Sequence, residues 1–346
     1  MTGGDTTAPG SIGARIERSS TTSRIGLTGF VLLVILLAVA PGFFSAQTKI
    51  TLIGIFTYLA LAQMWNLLAG YAGLVSIGQQ AFVGVAAYAV FVLAERNGVP
   101  LLIAVLGAGL VAAVLAVPSG AVALRLHGGY FAVGSWVLAE VFRLATLRID
   151  ALGAGDIQSF SAASAFSGLS IDQRQNLLYW SALALGAGGT LLVVAILRSR
   201  VGLALKAVAD DEGAAQALGV DVWRVKLAVW IVAAFWCGLA GAVIHLSAST
   251  VTNDNAFSVA DWTATVIFIV VVGGVSSVSG PVLGVGVYWI VTEVFEDATT
   301  WRLIVLGVLA VIVAVAQPRG IFGLVERRRR LPLFPVRRRL VAPGRE

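Results

Sequence analysis

The sequence predicts an all-α, polytopic integral membrane protein with about ten transmembrane helices, some of them broken by glycine. Of its 346 residues, 58% are hydrophobic and only 12% are charged, and the mean hydropathy is +0.91. A soluble domain of this length exposes far more polar surface. Uncharged stretches long enough to cross a bilayer, which takes about 20 apolar residues, also recur along the chain. Composition and spacing together predict that the chain lies in a membrane.

The lengths of these uncharged stretches predict the individual spans. Residues 25–44 form an uncharged run of 20, which is too long for the core of a secretory signal. The 45 residues between Lys49 and Glu95 suit two crossings rather than one. Two crossings are also predicted in 262–292, because a single one would place the arginine-rich C-terminus outside. The ten predicted spans lie near 25–44, 50–70, 79–95, 99–124, 129–148, 176–197, 225–250, 260–275, 281–296 and 301–317.

The distribution of basic residues predicts the orientation of these spans. With both termini in the cytoplasm, 18 of the 24 Lys and Arg residues lie on the cytoplasmic side, as the positive-inside rule requires. We therefore expect a disordered cytoplasmic tail at 1–24 and a transmembrane domain at 25–318, with a cytoplasmic loop at 198–226. The basic cytoplasmic tail at 319–346 is expected to lie against anionic lipid headgroups.

The fifth predicted span carries two ionisable residues, Glu140 and Arg143. They lie three positions apart, so they can pair on one face of a helix. The simplest interpretation is a structural ion pair near the outer interface. A functional role is the alternative, since ionisable residues inside a membrane often line a transport path.

Two segments rich in glycine and serine interrupt the apolar runs, at 70–88 and 273–288. Offset by 200 positions, they agree at six positions of a 16-residue window, which indicates an internal repeat, although glycine and valine are common enough here for chance to be the alternative. Non-helical backbone at membrane depth is tolerated only inside protein or beside water, and broken helices in two halves of a transporter mark a binding path. The predicted helix breaks are Gly73, Gly78, Gly273, Gly274 and Gly280, and the predicted path residues are Asn66, Tyr71, Ser76, Gln79, Gln80, Ser276 and Ser277.

Small residues also allow close helix packing, which is the second interpretation of such positions. Gly280 and Gly284 have the small-x-x-x-small spacing, and so do Ala234, Gly238 and Ala242. For these five residues packing is the favoured interpretation.

The longest charged stretch between spans is the loop 198–226. Residues 203–218 are rich in alanine and favour a helix, and Gly219 fits the C-terminal end of that helix. A short helix with acidic and apolar positions, exposed to the cytosol, suits a docking element. A plain solvated connector is the alternative.

Several functions are excluded by what the chain lacks. Cys237 is the single cysteine, and His127 and His245 are the only histidines, so neither an internal disulfide nor a metal cluster is expected. No G-x-x-x-x-G-K-[ST] motif occurs, so any nucleotide site must lie on another chain. The basic residues lie between spans, which argues against a nucleic-acid partner. We expect no cofactor and no catalytic residues, and therefore no enzyme activity, in this chain.

Five segments resemble the branched-chain amino acid ABC permeases of the LivH and LivM kind. They are the hallmark-like segment 70–88, the leucine-arginine run at 124–133, the EAA-type motif at 212–219, the late glycine hairpin at 272–284 and the Pro-Arg-Gly ending at 317–323. Their order and spacing cover about 50–325, and the long separation before the loop favours a LivM-like member. Gln79 stands where many members have histidine, which leaves the choice of substrate open.

The resemblance implies an ATP-driven importer of branched-chain or related hydrophobic amino acids in a bacterial inner membrane. It implies that Glu212, Ala214, Ala215 and Gly219 contact the ATPase. The implied partners are a second, LivH-like permease, two cytoplasmic ATPase subunits that bind ATP and magnesium, and an extracytoplasmic solute-binding protein. A stand-alone secondary transporter or channel for a small polar solute, an intramembrane enzyme, and urea or short amides as substrates remain the alternatives.

Overall fold

The computed structural model describes residues 15–17, 21–149, 158–160, 169–295, 299–317, 320–323, 334 and 339–341. These residues are almost entirely helical, which confirms the predicted all-α membrane fold. The α-helices, in chain order, are α1 (Thr21–Val39), α2 (Ala46–Asn66), α3 (Gln80–Phe91), α4 (Leu101–Ala123), α5 (Gly129–Arg148), α6 (Ile171–Arg198), α7 (Arg200–Asp210), α8 (Glu212–Ala217), α9 (Val222–Ala248), α10 (Asn253–Ala256), α11 (Thr265–Gly273), α12 (Ser279–Val294) and α13 (Thr299–Ala316). Short 3-10 or π turns extend them at Ala40–Phe43, Leu67–Tyr71, Val92–Arg96 and Ala260–Ala264.

Each of the ten predicted spans overlaps one helical segment of the described chain. Among the described residues, eight helices are long and apolar enough to cross a membrane. The two shorter segments are α3 with its π turn, and α12, and each of these directly follows a glycine break. These two segments are the glycine-broken helices that the sequence predicts, and each is shorter than the other eight.

The core forms around α2 and α9. Helix α2 packs against α6, α9, α11 and α12, and its second half is almost wholly buried. Helix α9 packs against α4, where a Cβ added to Gly238 would lie only 2.7 Å from the Cβ of Ala112. Ala234 and Ala242, on the same face of α9, have no exposed surface. The predicted packing role of this small-residue stripe is confirmed.

Apolar side chains cover the outer surfaces of α1, α4, α5 and α13. On α4, for example, Leu106, Leu110 and Val114 are each more than half exposed. Such surfaces are unfavourable in water and suit the hydrocarbon of a bilayer. The chain is therefore a multi-pass membrane protein.

Two small antiparallel strand pairs tie distant parts of the chain together. Strand β1 (Arg15–Glu17) pairs with β4 (Arg339–Val341), and β2 (Gln158–Ser159) pairs with β3 (Thr250–Val251). Residues 15–17 thus have a strand partner, and α1 begins at Thr21, so these parts of the predicted disordered tail 1–24 are structured. Residues 1–14 and 18–20, and most of the basic tail 324–346, lie outside the described residues.

Candidate functional site

The first glycine break runs back along the helix that precedes it. After the π turn at Leu67–Tyr71 the chain loses helical structure until Gln80, and Gly73 has a positive φ of 69° that allows the reversal. The backbone N–H of Leu74 donates to the carbonyl of Leu68 at 2.9 Å. Further along, the Gln79 side chain donates to the carbonyl of Leu61 at 3.1 Å. The segment 72–79 therefore lies beside the end of α2 and the π turn that follows it, and α3 begins well inside the span.

Side chains from two helices satisfy the backbone of this re-entrant segment. The indole N–H of Trp65 donates to the carbonyl of Ser76 at 2.8 Å, and the hydroxyl of Ser135 accepts from the N–H of Ile77 at 2.9 Å. The Ser76 hydroxyl itself accepts from the N–H of Gly78 at 3.1 Å. Unpaired backbone groups are costly at membrane depth, so these contacts permit an irregular segment there.

Gly78 brings the re-entrant segment against α5. A Cβ at Gly78 would overlap the backbone carbonyl of Ser135, so only glycine allows the approach that the Ser135–Ile77 hydrogen bond needs. The helix-break interpretation of Gly73 and Gly78 is thus supported by two different physical reasons: positive φ at Gly73 and close contact at Gly78.

The second glycine break, residues 274–278, rests on the inner face of α2. Asn66 accepts from the N–H of Ser276 and donates to the carbonyl of Ser277, both at 2.9 Å. Gln63 donates to the carbonyl of Val278 at 2.9 Å and to Thr190 at 3.2 Å. Three residues of α2 therefore hold both breaks: Trp65 the first, and Gln63 and Asn66 the second.

Glycines surround the second break and let backbones touch. Gly274 has a φ of 131° and ends α11, and a Cβ at Gly273 would overlap the carbonyl of Gly280. Gly280 lies in the first turn of α12 and packs against the backbone of Gly274, which supports the favoured packing interpretation and not its alternative role as a helix break. Gly284 packs in the same way against Ile269, as predicted, and Gly320 contacts the backbone of Gly274 from the C-terminal segment.

Five of the seven predicted path residues form two groups in the structure. Asn66, Ser276 and Ser277 meet at the second break, where the Ser276 hydroxyl also donates to the carbonyl of Gly70 at 2.7 Å. Gln79 and Gln80 lie at the start of α3, where Gln79 contacts Cys237 and Gln80 accepts from Thr263.

Exposure separates the same residues differently. Asn66, Ser76, Gln79 and Gln80 are at most 2% exposed, Tyr71 and Ser277 are half-buried, and Ser276 is exposed. The four buried side chains hold backbone or neighbouring helices. That any of the seven lines a solute path stays a prediction.

The loop 198–226, which the charge distribution predicts to be cytoplasmic, folds as two short helices rather than the single helix predicted over 203–218. Asp211 separates α7 from α8, and its carboxylate accepts from the N–H of Ala214 at 2.9 Å as an N-cap. Gly219 follows α8 with a positive φ of 84°, as the C-terminal position predicts. Ala214 and Gly219 are exposed, and Leu218 between them is 81% exposed.

An ion pair fixes this loop to α9. The ammonium of Lys226 lies 2.5 Å from the carboxylate of Glu212, and the Lys226 side chain is only 9% exposed. Ala215 is buried against Val208 and Val222, so its small side chain fills space inside the loop. Contact of Ala215 with another subunit stays a prediction, and in this conformation Ala215 is covered by its own chain.

The predicted pair on α5 is confirmed. Arg143 donates to both carboxylate oxygens of Glu140 at distances between 2.6 and 3.0 Å. Arg143 also donates to the side chain of Asn253 at 3.1 Å. Within the described part of the chain, no group of three or more His, Cys, Asp or Glu side chains is placed to hold a metal ion.

Sequence reasoning missed four residues that hold this site: Gln63, Trp65, Ser135 and Lys226. A signal was present for the first two, since polar or hydrogen-bonding side chains at 63, 65 and 66 interrupt an otherwise apolar span. For Ser135 and Lys226 no local pattern indicates the partner, which comes from a distant part of the chain.

Comparison of the sequence with known proteins identifies the family to which it belongs. Residues 45–314 match the family model described as the permease component of the branched-chain amino acid transport system. The chain belongs to this permease family. The permease is 26% identical, over 319 residues, to the high-affinity branched-chain amino acid transport system permease protein LivM of Escherichia coli (strain K12). That alignment covers 85% of the permease and 75% of the relative, and LivM of Salmonella typhimurium (strain LT2) matches equally well. No solved structure matches the permease significantly.

The matched region contains both glycine breaks, the α5 ion pair and the loop 198–226. The predicted resemblance to branched-chain amino acid permeases is therefore confirmed at the level of the family. The family match also supports the predicted transport function and the membrane-spanning helices.

Proposed function

We propose that this chain is the membrane-spanning permease subunit of an ATP-driven importer for branched-chain or related hydrophobic amino acids. The observation that carries this proposal is the way the cytoplasmic loop is attached. Through the Glu212–Lys226 pair, the loop is fixed to α9, a continuous helix of 27 residues that runs through the core. This attachment allows a displacement of the loop to reach the core through α9.

Helix α9 joins the loop to the first break. Lys226 lies near the start of α9, and Cys237, about 16 Å further along the helix, accepts a hydrogen bond from Gln79 at 3.2 Å. One turn beyond, Gly241 lies against the backbone of Val83, where an added Cβ would be 2.6 Å from the Val83 carbonyl. A displacement of the loop along or around α9 would therefore shift the end of the re-entrant segment and the start of α3.

The proposed mechanism follows from these contacts. ATP and magnesium, bound by two partner ATPase subunits, supply the energy, and the loop 198–226 receives the movement. The helices flanking the two breaks then rearrange, so that the path opens to one side at a time. The chain itself binds no nucleotide in this proposal and performs no chemistry.

The proposal includes partners and an orientation. The path forms between this chain and a second, LivH-like permease, and an extracytoplasmic solute-binding protein delivers the amino acid. Both termini lie in the cytoplasm of a bacterial inner-membrane protein. The pairing of β1 with β4 supports this orientation. It places residues 15–17 and 339–341 on the same side of the membrane, which implies an even number of crossings between them.

The decisive experiment is uptake by the complete complex reconstituted in liposomes. The permease is co-expressed with a candidate ATPase, a second permease and a solute-binding protein from the same organism. We expect uptake of labelled leucine, isoleucine or valine that requires ATP and the binding protein, and that exceeds uptake of urea. Uptake that needs an ion gradient but neither ATP nor partners would overturn the proposal in favour of a secondary transporter.

A further inference from the structure

Helix α5 carries a carboxylate in the middle of an apolar outer face. Glu140 lies about 16 Å from the start of the helix and about 12 Å from its end, by the rise of 1.5 Å per residue, and its side chain is 45% exposed. The neighbours on the same face, Val133, Val137, Val141 and Leu144, are all about half exposed. By contrast, α4 has an exposed apolar face and no ionisable residue along its whole length.

A half-exposed carboxylate in the middle of a membrane-spanning helix is unfavourable on a surface that faces lipid. Ionisable side chains in membrane spans are costly against hydrocarbon, and they face either the bundle interior or a water-filled cavity. The carboxylate of Glu140 does not face the interior of this chain. The face that it occupies therefore borders water or another polar surface when the protein is assembled.

The positive partner of Glu140 is fixed by the rest of the protein. Arg143 donates to Asn253, and Asn253, which is 5% exposed, donates in return to the Arg143 carbonyl at 3.2 Å and to Thr146 at 2.9 Å. Asp254 lies 3.8 Å from the same guanidinium and is 98% exposed. Two carboxylates thus share one guanidinium, which leaves one negative charge in excess, and the exposed edge of Glu140 remains available to a cation.

We propose that the face of α5 centred on Glu140 borders the solute path and that the Glu140 carboxylate binds the α-ammonium group of the amino acid in transit. The inference rests on the proposed function, since it needs a second permease opposite α5 to close the path. It adds to the proposed function one binding residue, Glu140, and the solute group that it recognises. The solute ammonium would donate a charge-assisted hydrogen bond to the Glu140 carboxylate. The built array of Asp254, Arg143 and Glu140 supplies the negative charge without leaving an isolated ion.

The first test is the chemical accessibility of position 140. Glu140→Cys and Val114→Cys are made separately in a Cys237→Ser background, and each complex is treated with a membrane-impermeant thiosulfonate. Val114, on α4, is 60% exposed and provides the lipid-facing comparison. We expect the Glu140→Cys thiol to react, while the Val114→Cys thiol stays inert. A Glu140→Cys thiol that is inert in every nucleotide state would show that lipid or a partner helix covers this face, and would overturn the inference.

The second test asks whether the charge at Glu140 takes part in transport. Glu140→Gln keeps the shape and removes the charge, and Glu293→Gln, an exposed glutamate at the end of α12, is the matched control. We expect Glu140→Gln to lower amino acid transported per ATP hydrolysed about tenfold, the value of one charge-assisted hydrogen bond. ATPase stimulation by the loaded binding protein should persist in the Glu140→Gln variant. A folding defect would abolish this stimulation, so the measurement distinguishes misfolding from loss of the charge.

The two tests must agree for the inference to stand. Normal transport per ATP in Glu140→Gln, or a Glu140→Cys thiol that never reacts, would overturn it. Wild-type uptake is measured in the same preparations. ATP-driven uptake by the wild type with a negative result at position 140 refutes only this inference, whereas absence of ATP-driven uptake by the wild type refutes the proposed function.

Discussion

The side chain of Asn66 is bound to the backbone of Ser276, 210 positions away in the sequence, by a hydrogen bond of 2.9 Å. The same amide group bonds the carbonyl of Ser277, so one buried side chain pairs a donor and an acceptor of the second break. Asn66 thus replaces the hydrogen bonds that a continuous helix would make within itself. This relationship explains how a helix interruption persists inside a membrane protein.

Replacing Asn66 with Leu should destabilise the protein strongly. The change removes the hydrogen bonds to the N–H of Ser276 and the carbonyl of Ser277, at about 0.5–1.5 kcal/mol for each bond. We expect a clear fall in the midpoint of thermal unfolding of the purified permease in detergent. Gln47→Leu, at an exposed amide near the start of α2, is the control and should change little. Equal midpoints for the two variants would mean that Asn66 does not hold the break.

Replacing Ser135 with Ala should destabilise the first break. Its hydroxyl accepts from Ile77 in the re-entrant segment and donates within α5. Ser181 provides a matched comparison, since its hydroxyl donates to Leu177 of its own helix. We expect Ser135→Ala to cost about 1–3 kcal/mol and Ser181→Ala much less, measured by the same thermal assay. A larger effect at Ser181 would contradict the assigned role of Ser135.

Replacing Gly320 with Ala should loosen the C-terminal segment from the second break. A Cβ there would overlap the backbone of Gly274, and Gly320 has a positive φ of 67°, which alanine adopts poorly. Gly307→Ala on α13 has open space and should be neutral or slightly stabilising. The expected readouts are a lower unfolding midpoint and reduced uptake for Gly320→Ala alone. If Gly320→Ala behaves like Gly307→Ala, the contact has no energetic importance.

Reversing one charge of the Glu212–Lys226 pair should uncouple the cytoplasmic loop. Glu212→Lys places two ammonium groups together at a poorly exposed site, so we expect weaker co-purification of the ATPase and loss of uptake. The double variant Glu212→Lys with Lys226→Glu restores the pair and should recover part of both. Lys206→Glu, an exposed charge reversal on α7, is the control. Absence of recovery in the double variant would indicate that Glu212 contacts the ATPase directly rather than through loop geometry.

The sequence was sufficient to predict the spans because the cost of placing charge in hydrocarbon is a local property of each stretch. It also predicted the position of both breaks, since Gly73 and Gly274 need backbone conformations that other residues adopt poorly. The division of the loop at Asp211 was predictable in principle, because Asp is a preferred N-cap, but the alanine-rich pattern favoured one helix.

Contacts between distant segments were not predictable. Whether Ser76 or Gln79 lines a path or supports backbone depends on the rotation of α2, α5 and α9 around the re-entrant segment. Those rotations are set by packing over the whole fold, for example by Gly241 against Val83. The same reason explains why the sequence leaves two roles open for Gly280: its spacing fits either role, and only its contact with Gly274 distinguishes them.

The most direct test of the proposed mechanism is whether nucleotide on the partner ATPase changes the second break. Ser276 is exposed at that break, so Ser276→Cys in the Cys237→Ser background reports on it, and Asp172→Cys at the exposed start of α6 is the control. The rate of thiol modification is compared in the nucleotide-free complex and in a complex whose ATPase binds ATP without hydrolysing it. We predict a several-fold change in rate for the Ser276→Cys variant and none for the Asp172→Cys variant. Equal rates in both states for Ser276→Cys, in a complex that still transports, would contradict the claim that ATP drives the permease through its glycine breaks.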